Sequence, residues 1–113
     1  MTNSKSKGKR FELEIANRLK ELWKYARRSI MSGAAFETGD ISKTPFDIEC
    51  KFYQKMSIYK HWEQLMDERV TCGSKRIPVL FIRANQKKPL AVMDLDDWLC
   101  IMQFLKEQNY FEE

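Results

Sequence analysis

The reading of this chain turns on Gly39-Asp40-Ile41-Ser42-Lys43-Thr44-Pro45, followed by Phe46-Asp47-Ile48-Glu49-Cys50-Lys51-Phe52. The second half alternates. Phe46, Ile48, Cys50 and Phe52 fall on one side of an extended strand, and Asp47, Glu49 and Lys51 on the other. The charged row is about 13 Å long, at roughly 6.6 Å per second residue. Such a strand, apolar on one face and charged on the other, fits a solvated sheet surface. It fits equally the floor of a metal site. Gly39-Asp40-Ile41 opens a strand of its own, and Ser42 to Pro45 is turn chemistry, so a tight hairpin should bring Asp40 close to Glu49.

The bulk properties narrow the field. A chain of 113 residues, 43% of them hydrophobic, predicts a single domain with one modest core. Its formal net charge of +4 permits a polyanionic partner without demanding one. Cys50, Cys72 and Cys100 are far apart, no CxxC occurs, and His61 is the sole histidine. A structural zinc site and a disulfide framework are therefore both disfavoured, and a reducing cytoplasm is the expected location. The apolar run Val79 to Ile82 is far too short to span a bilayer. The lysines near the start have no apolar segment behind them, so no secretion signal is read and no membrane role is expected.

Outward from the hairpin, the pattern predicts the order α-β-β-β-α-β-β-α. Residues 1–7 read as a basic, mobile arm. A helix from Lys9 carries Phe11, Ile15, Leu19, Leu22 and Trp23 at helical spacing. Glu12 lies at the edge of that stripe, either turned sideways to water or aimed at something inside. On its own it is accounted for as a favourable charge near a helix N-terminus. Tyr25 to Met31 reads as a strand bearing Arg27 and Arg28, and 32–35 as a loop of small residues. The third strand runs from Phe46 to Tyr53. Ser57 is the expected N-cap of a second helix, with Ile58, Trp62, Leu65, Met66 and Arg69 on one side and His61 and Gln64 on others, ending before Cys72-Gly73. Ile77 to Arg83 is a strand buried on both faces and Leu90 to Met93 a short final strand. Asp94 caps a last helix with Asp97 at its third position, whose stripe is Leu95, Trp98, Leu99, Met102 and Leu105. Residues 109–113 are expected to fray. A mixed sheet with helices on both faces follows, and the fold class is α/β.

These residues together resemble the PD-(D/E)XK nuclease superfamily, with its restriction-endonuclease-like fold, and within it the archaeal-type Holliday-junction resolvases and small phage-encoded nucleases. Lys7-Gly8 followed by Glu12 is similar to the K-G-x-x-x-E opening of those proteins. Ser32-Gly33 is similar to their Ser-Gly loop. Asp40 stands at the first metal-binding Asp, preceded by Gly39 where the superfamily commonly has Pro, and Glu49-Cys50-Lys51 is the E-x-K signature. Asp47 competes with Asp40 as first ligand. A ligand from a neighbouring strand converges better on one ion than two parallel side chains of one strand, which favours Asp40.

The resemblance implies a metal-dependent endodeoxyribonuclease. Asp40, Glu49 and the main-chain carbonyl of Cys50 would hold Mg²⁺, with Mn²⁺ expected to substitute, and Glu12 would complete the shell or support a second ion. Lys51 would position water and contact the scissile phosphate. Arg27, Arg28, Ser32, Lys5, Lys7, Lys9 and Arg10 are the candidate DNA contacts, and Gln64 a flanking polar group. His61, Tyr53, Tyr59 and Trp62 read as packing residues. With no base-reading module in the sequence, recognition of DNA structure is expected, foremost a four-way junction cut by a homodimer in a bacterial or archaeal host, with a phage origin in keeping with the compact form. A non-specific or nicking nuclease of the same fold, or an inactive DNA-binding accessory protein, are the alternatives.

Overall fold

A computed structural model describes residues 4–30, 39–52 and 57–111. Eight elements follow in the expected order: α1 (Ser4–Leu19), β1 (Arg27–Arg28), β2 (Ile41–Ser42), β3 (Phe46–Phe52), α2 (Ile58–Cys72), β4 (Ile77–Arg83), β5 (Leu90–Met93) and α3 (Leu95–Glu107). The strands form one sheet in the order β1-β2-β3-β4-β5. β3 and β4 are parallel, joined by α2 as crossover, and the other pairs are antiparallel. The protein is therefore α/β with a five-stranded mixed sheet flanked by helices.

The alternation of β3 assigns its two faces to two helices. Ile48 and Cys50 pack with Phe11, Ile15 and Ala16 of α1, Ile41 of β2 and Val79 of β4 into one buried cluster. On the opposite face Asp47 is bonded to Arg69 of α2. Glu49 lies beside Leu80, which like Leu65 of α2 is fully buried. The parallel register sets Ile48 beside Val79 on the apolar face, while Asp47, Glu49 and Lys51 lie beside Pro78, Leu80 and Ile82.

Several boundaries differ from expectation. α1 begins at Ser4, so residues 4–7 are helical and not a mobile arm; residues 1–3 lie outside the described residues. The extra turn is anchored by Lys7, whose Nζ donates to Asn85 Oδ1 at 3.2 Å and sits 5.8 Å from the centre of the Phe52 ring. The arginine strand shrinks to Arg27–Arg28, and Met31 lies outside the described residues, as does Tyr53 beyond the end of β3. α2 is rotated from the expected face: its buried residues are His61 and Leu65, while Ile58 is exposed. It runs through Cys72 and is closed by Gly73 in the left-handed conformation, whereas Ser57 makes no side-chain cap bond. Asp94 does cap α3, accepting from the Asp97 N–H at 3.3 Å. The end of α3 is capped and does not fray at Asn109: Asn109 takes φ 59° and the Tyr110 N–H returns to the Leu105 carbonyl at 3.0 Å. No residue of α3 is buried, so its apolar stripe is exposed instead of lying on the sheet.

Candidate active site

The site is built where β2 stops and the edge of β3 continues. Ile41 pairs with Ile48, so Asp40 falls opposite Glu49. The Asp40 N–H donates to the Ile48 carbonyl at 2.6 Å, and its own carbonyl accepts from the Ser29 N–H at 2.8 Å. Past the end of β2 the Cys50 N–H finds no strand partner among the described residues. It donates instead to Asp40 Oδ2 at 2.9 Å, aiming that carboxylate along the strand edge toward Glu49. Gly39 makes this geometry attainable. Its φ is 80°, and an added Cβ would collide with the Ile48 carbonyl.

Asp40 and Glu49 face each other in a largely buried setting. Burial, then the charge of Glu49, pushes Asp40 up to about 7. Burial also raises Glu49, against the pull of Lys51, whose Nζ lies 3.1 Å from Glu49 Oε2. Two like-charged, partly desolvated carboxylates beside one ammonium form an arrangement that a proton or a cation relieves. Hard oxygen donors of this kind suit a divalent ion such as Mg²⁺. Among the described residues no group of three His, Cys, Asp or Glu side chains gathers as a ready metal cluster. The side-chain donor set is therefore a pair.

Glu12 stands beside this pair but is committed elsewhere. Its Oε1 accepts from Arg28 Nε at 2.9 Å. Burial, then the charge of Asp40, raises its pKa, opposed by Arg28. Arg28 therefore holds a carboxylate at the site's edge, where the sequence reading gave it a phosphate. Arg27 is half-buried and donates to the Arg28 carbonyl at 3.0 Å. Burial, then Asp40, drives the Cys50 thiol upward, so it stays protonated and only its backbone faces the site.

The other sequence candidates are scattered. Asp47 is fully buried near the start of β3, where it accepts from Arg69 Nε at 2.9 Å and from the Ser74 hydroxyl at 2.6 Å. Those partners make it a structural anion. Gln64 is exposed, with its Oε1 3.4 Å from His61 Nδ1, and His61 is buried. Lys9 and Arg10 are exposed on α1. Ser32 lies outside the described residues.

One site residue escaped the sequence reading. Glu68 of α2 accepts the Gly39 N–H at 2.8 Å, and its charge raises Glu49. It thus grips the peptide that carries Asp40. The signal was present in the spacing: His61, Leu65 and Glu68 fall at i, i+4 and i+7, on the face of α2 that is buried.

An Asp from one strand beside E-x-K on the next, in a mixed sheet between helices, defines a restriction-endonuclease-like domain of the PD-(D/E)XK superfamily. The comparison with family models agrees: residues 3–112 match the family described as "Phage putative PDDEXK endonuclease". The chain belongs to that family of small phage endonucleases, whose substrate is DNA. No curated protein and no solved structure matches it significantly. Among the described residues no helix is long and apolar enough to cross a membrane.

Proposed function

We propose that this chain is a Mg²⁺-dependent, structure-selective DNA endonuclease that hydrolyses phosphodiester bonds in branched DNA, with the four-way junction as its leading substrate. The observation that carries the reading is the Asp40–Glu49 pair, opposed across the strands, poorly solvated and flanked by Lys51. Asp40, Glu49 and the Cys50 carbonyl would hold the ion. When bound, a divalent cation lowers the pKa of water and stabilises charge on the transferring phosphoryl group.

The chain's own groups do the rest. Lys51 is held by Glu49 beside the pair, where its ammonium can meet a phosphate oxygen or an attacking water. With two carboxylates nearby it keeps its charge, which favours positioning over proton abstraction. Glu68 and the Cys50 N–H hold Asp40 from two sides. Arg28 orients Glu12 at the margin of the pair. Affinity for DNA comes chiefly from phosphate contacts by exposed lysines of α1 such as Lys5 and Lys9, with a steep fall in salt.

Paired incision of a junction needs two sites, and this chain carries one. A homodimer supplies the second. The exposed apolar residues of α3, with Leu95 66%, Leu99 50% and Phe104 60% exposed, support such a contact.

The test is cleavage of a labelled four-way junction and its matching linear duplex, in Mg²⁺ and in EDTA, with Lys51→Ala as control. Paired symmetric nicks at the junction, dependent on metal and lost in the variant, are expected. Equal cutting of both substrates would replace junction selectivity with non-specific nicking. Binding without cutting in any metal would make the protein an accessory DNA binder.

A further inference from the structure

On the α1 side of the sheet lies an open cavity of about 590 Å³ between α1, the ends of β3 and β4 and the turn that follows β4. Its lining includes Lys7, Arg10, Phe11, Phe52, Arg83 and Asn85. Phe52 directly follows Lys51 in the strand, and Phe11 directly precedes Glu12 in the helix. The pleat separates the two places: Lys51 points to one face of β3 and Phe52 to the other. We propose that this cavity receives an unpaired nucleotide of the DNA strand being cut, beside the scissile phosphate. The proposal deepens the nuclease reading above and rests on it.

The chemistry of the lining matches the parts of a nucleotide. Phe52, half-buried and backed edge to face by the buried Phe11 with ring centres 6.3 Å apart, supplies an apolar wall for sugar and base. Lys7 and Arg83 stand over the Phe52 ring at 5.8 and 5.9 Å. Arg83 is fixed in advance, since Nε donates to the Lys87 carbonyl at 3.0 Å and Nη1 to Glu14 Oε1 at 2.9 Å. Arg10 has no ion-pair or hydrogen-bond partner among the described residues, which leaves a cation at the rim for a phosphate. Asn85 accepts from Lys7 through Oδ1, leaving its amide nitrogen to donate to a base edge. Against three cations the cavity sets one carboxylate, Glu14.

Shape argues for an unpaired unit. A cavity of this size is in the range, roughly 300 to 1,000 Å³, of small-ligand sites. A base inside a duplex is stacked on both faces and paired along its edge, so it cannot enter. A base at a branch point or in a single strand can, at little cost in lost stacking. A pocket for an unpaired nucleotide would give preference for branched DNA without any base-reading helix in a groove.

The experiment uses the whole chain and two labelled probes, a short oligothymidylate and a hairpin duplex, followed by fluorescence anisotropy without divalent metal. The double substitution Arg10→Gln, Asn85→Ala should weaken oligothymidylate binding about tenfold or more. Duplex binding should change less than about threefold, and the preference for cutting branched over linear DNA in Mg²⁺ should disappear. Arg10→Gln alone, at an exposed helix position, gives the same comparison should the double variant melt early. Equal weakening toward both probes would overturn the proposal in favour of plain electrostatic attraction, and unchanged binding of the single strand would overturn it outright. The nuclease reading fails separately. A chain that binds the single strand through these residues and never cuts would sustain the cavity and sink the endonuclease.

Discussion

Asp47 and Glu49 of β3 are acidic side chains on the same face, two residues apart, with opposite fates. Near the start of the strand Asp47 is fully buried and answered by Arg69 and Ser74. At its middle, Glu49 is almost as buried but is set beside a second carboxylate, Asp40, with Lys51 as its nearby cation. The first arrangement completes its charge balance inside the fold. The second leaves an excess of negative charge in a poorly solvated place, which the fold does not relieve by itself. Buried anions that are paired hold a structure in register, whereas buried anions crowded together await a proton or a metal.

The largest effect that would break this comparison is on catalysis. Glu49→Gln or Asp40→Asn should lower the rate of metal-dependent cleavage on the order of 10³-fold, read as initial rates on labelled DNA, with circular dichroism unchanged. Retained cleavage would remove the pair from the chemistry. At Asp47 the loss should be of folding. Arg69→Ala strands a buried charge on Asp47 and should cost about 3–5 kcal/mol in urea unfolding. The paired change Asp47→Leu with Arg69→Met should recover most of that, since it removes the uncompensated charge as well.

pH sharpens the contrast. Asp40 has an ordinary value of 3.8 and rises to about 7 in the fold. Between those values the folded chain holds a proton that the unfolded chain has released. Stability without metal is therefore full below the lower value and falls as pH rises through about 7. The Tm of metal-free protein should decline across that window, Asp40→Asn should flatten the decline, and added Mg²⁺ at the alkaline side should restore Tm. A Tm that rises with pH in the window would contradict the crowded-pair reading.

Two smaller effects test the surroundings. Glu68→Ala removes the acceptor for the Gly39 N–H and should lower cleavage about tenfold, with Glu68→Gln retaining more activity because it keeps an oxygen there. Substituting Leu99→Gln on the exposed face of α3 should change monomer stability by less than about 0.5 kcal/mol, yet shift light-scattering mass toward the monomer.

Much of this was legible beforehand, for identifiable reasons. The alternation in Phe46 to Phe52 and the helical spacing of Phe11 and Ile15 encode burial directly, since each follows from the repeat of one element. The hairpin logic that brings Asp40 to Glu49 needed only turn chemistry and strand direction. Boundaries were harder where long-range contacts extend an element. Residues 4–7 are helical with Lys7 held by Asn85, a partner 78 positions away. The stripe of α3 was equally visible, but periodicity states that a face is apolar and not whether anything in the same chain covers it.

By itself, then, the sequence determined the order of elements, the two-faced strand and the residue types that hold a hard cation. Only the tertiary structure decided which charges are spent. It gave Asp47 to Arg69, Glu12 to Arg28 and the Gly39 peptide to Glu68, and left Asp40 and Glu49 against each other. The reason is physical. A side chain's type and periodicity are properties of a local stretch, whereas its electrostatic partner is set by which distant element packs against it.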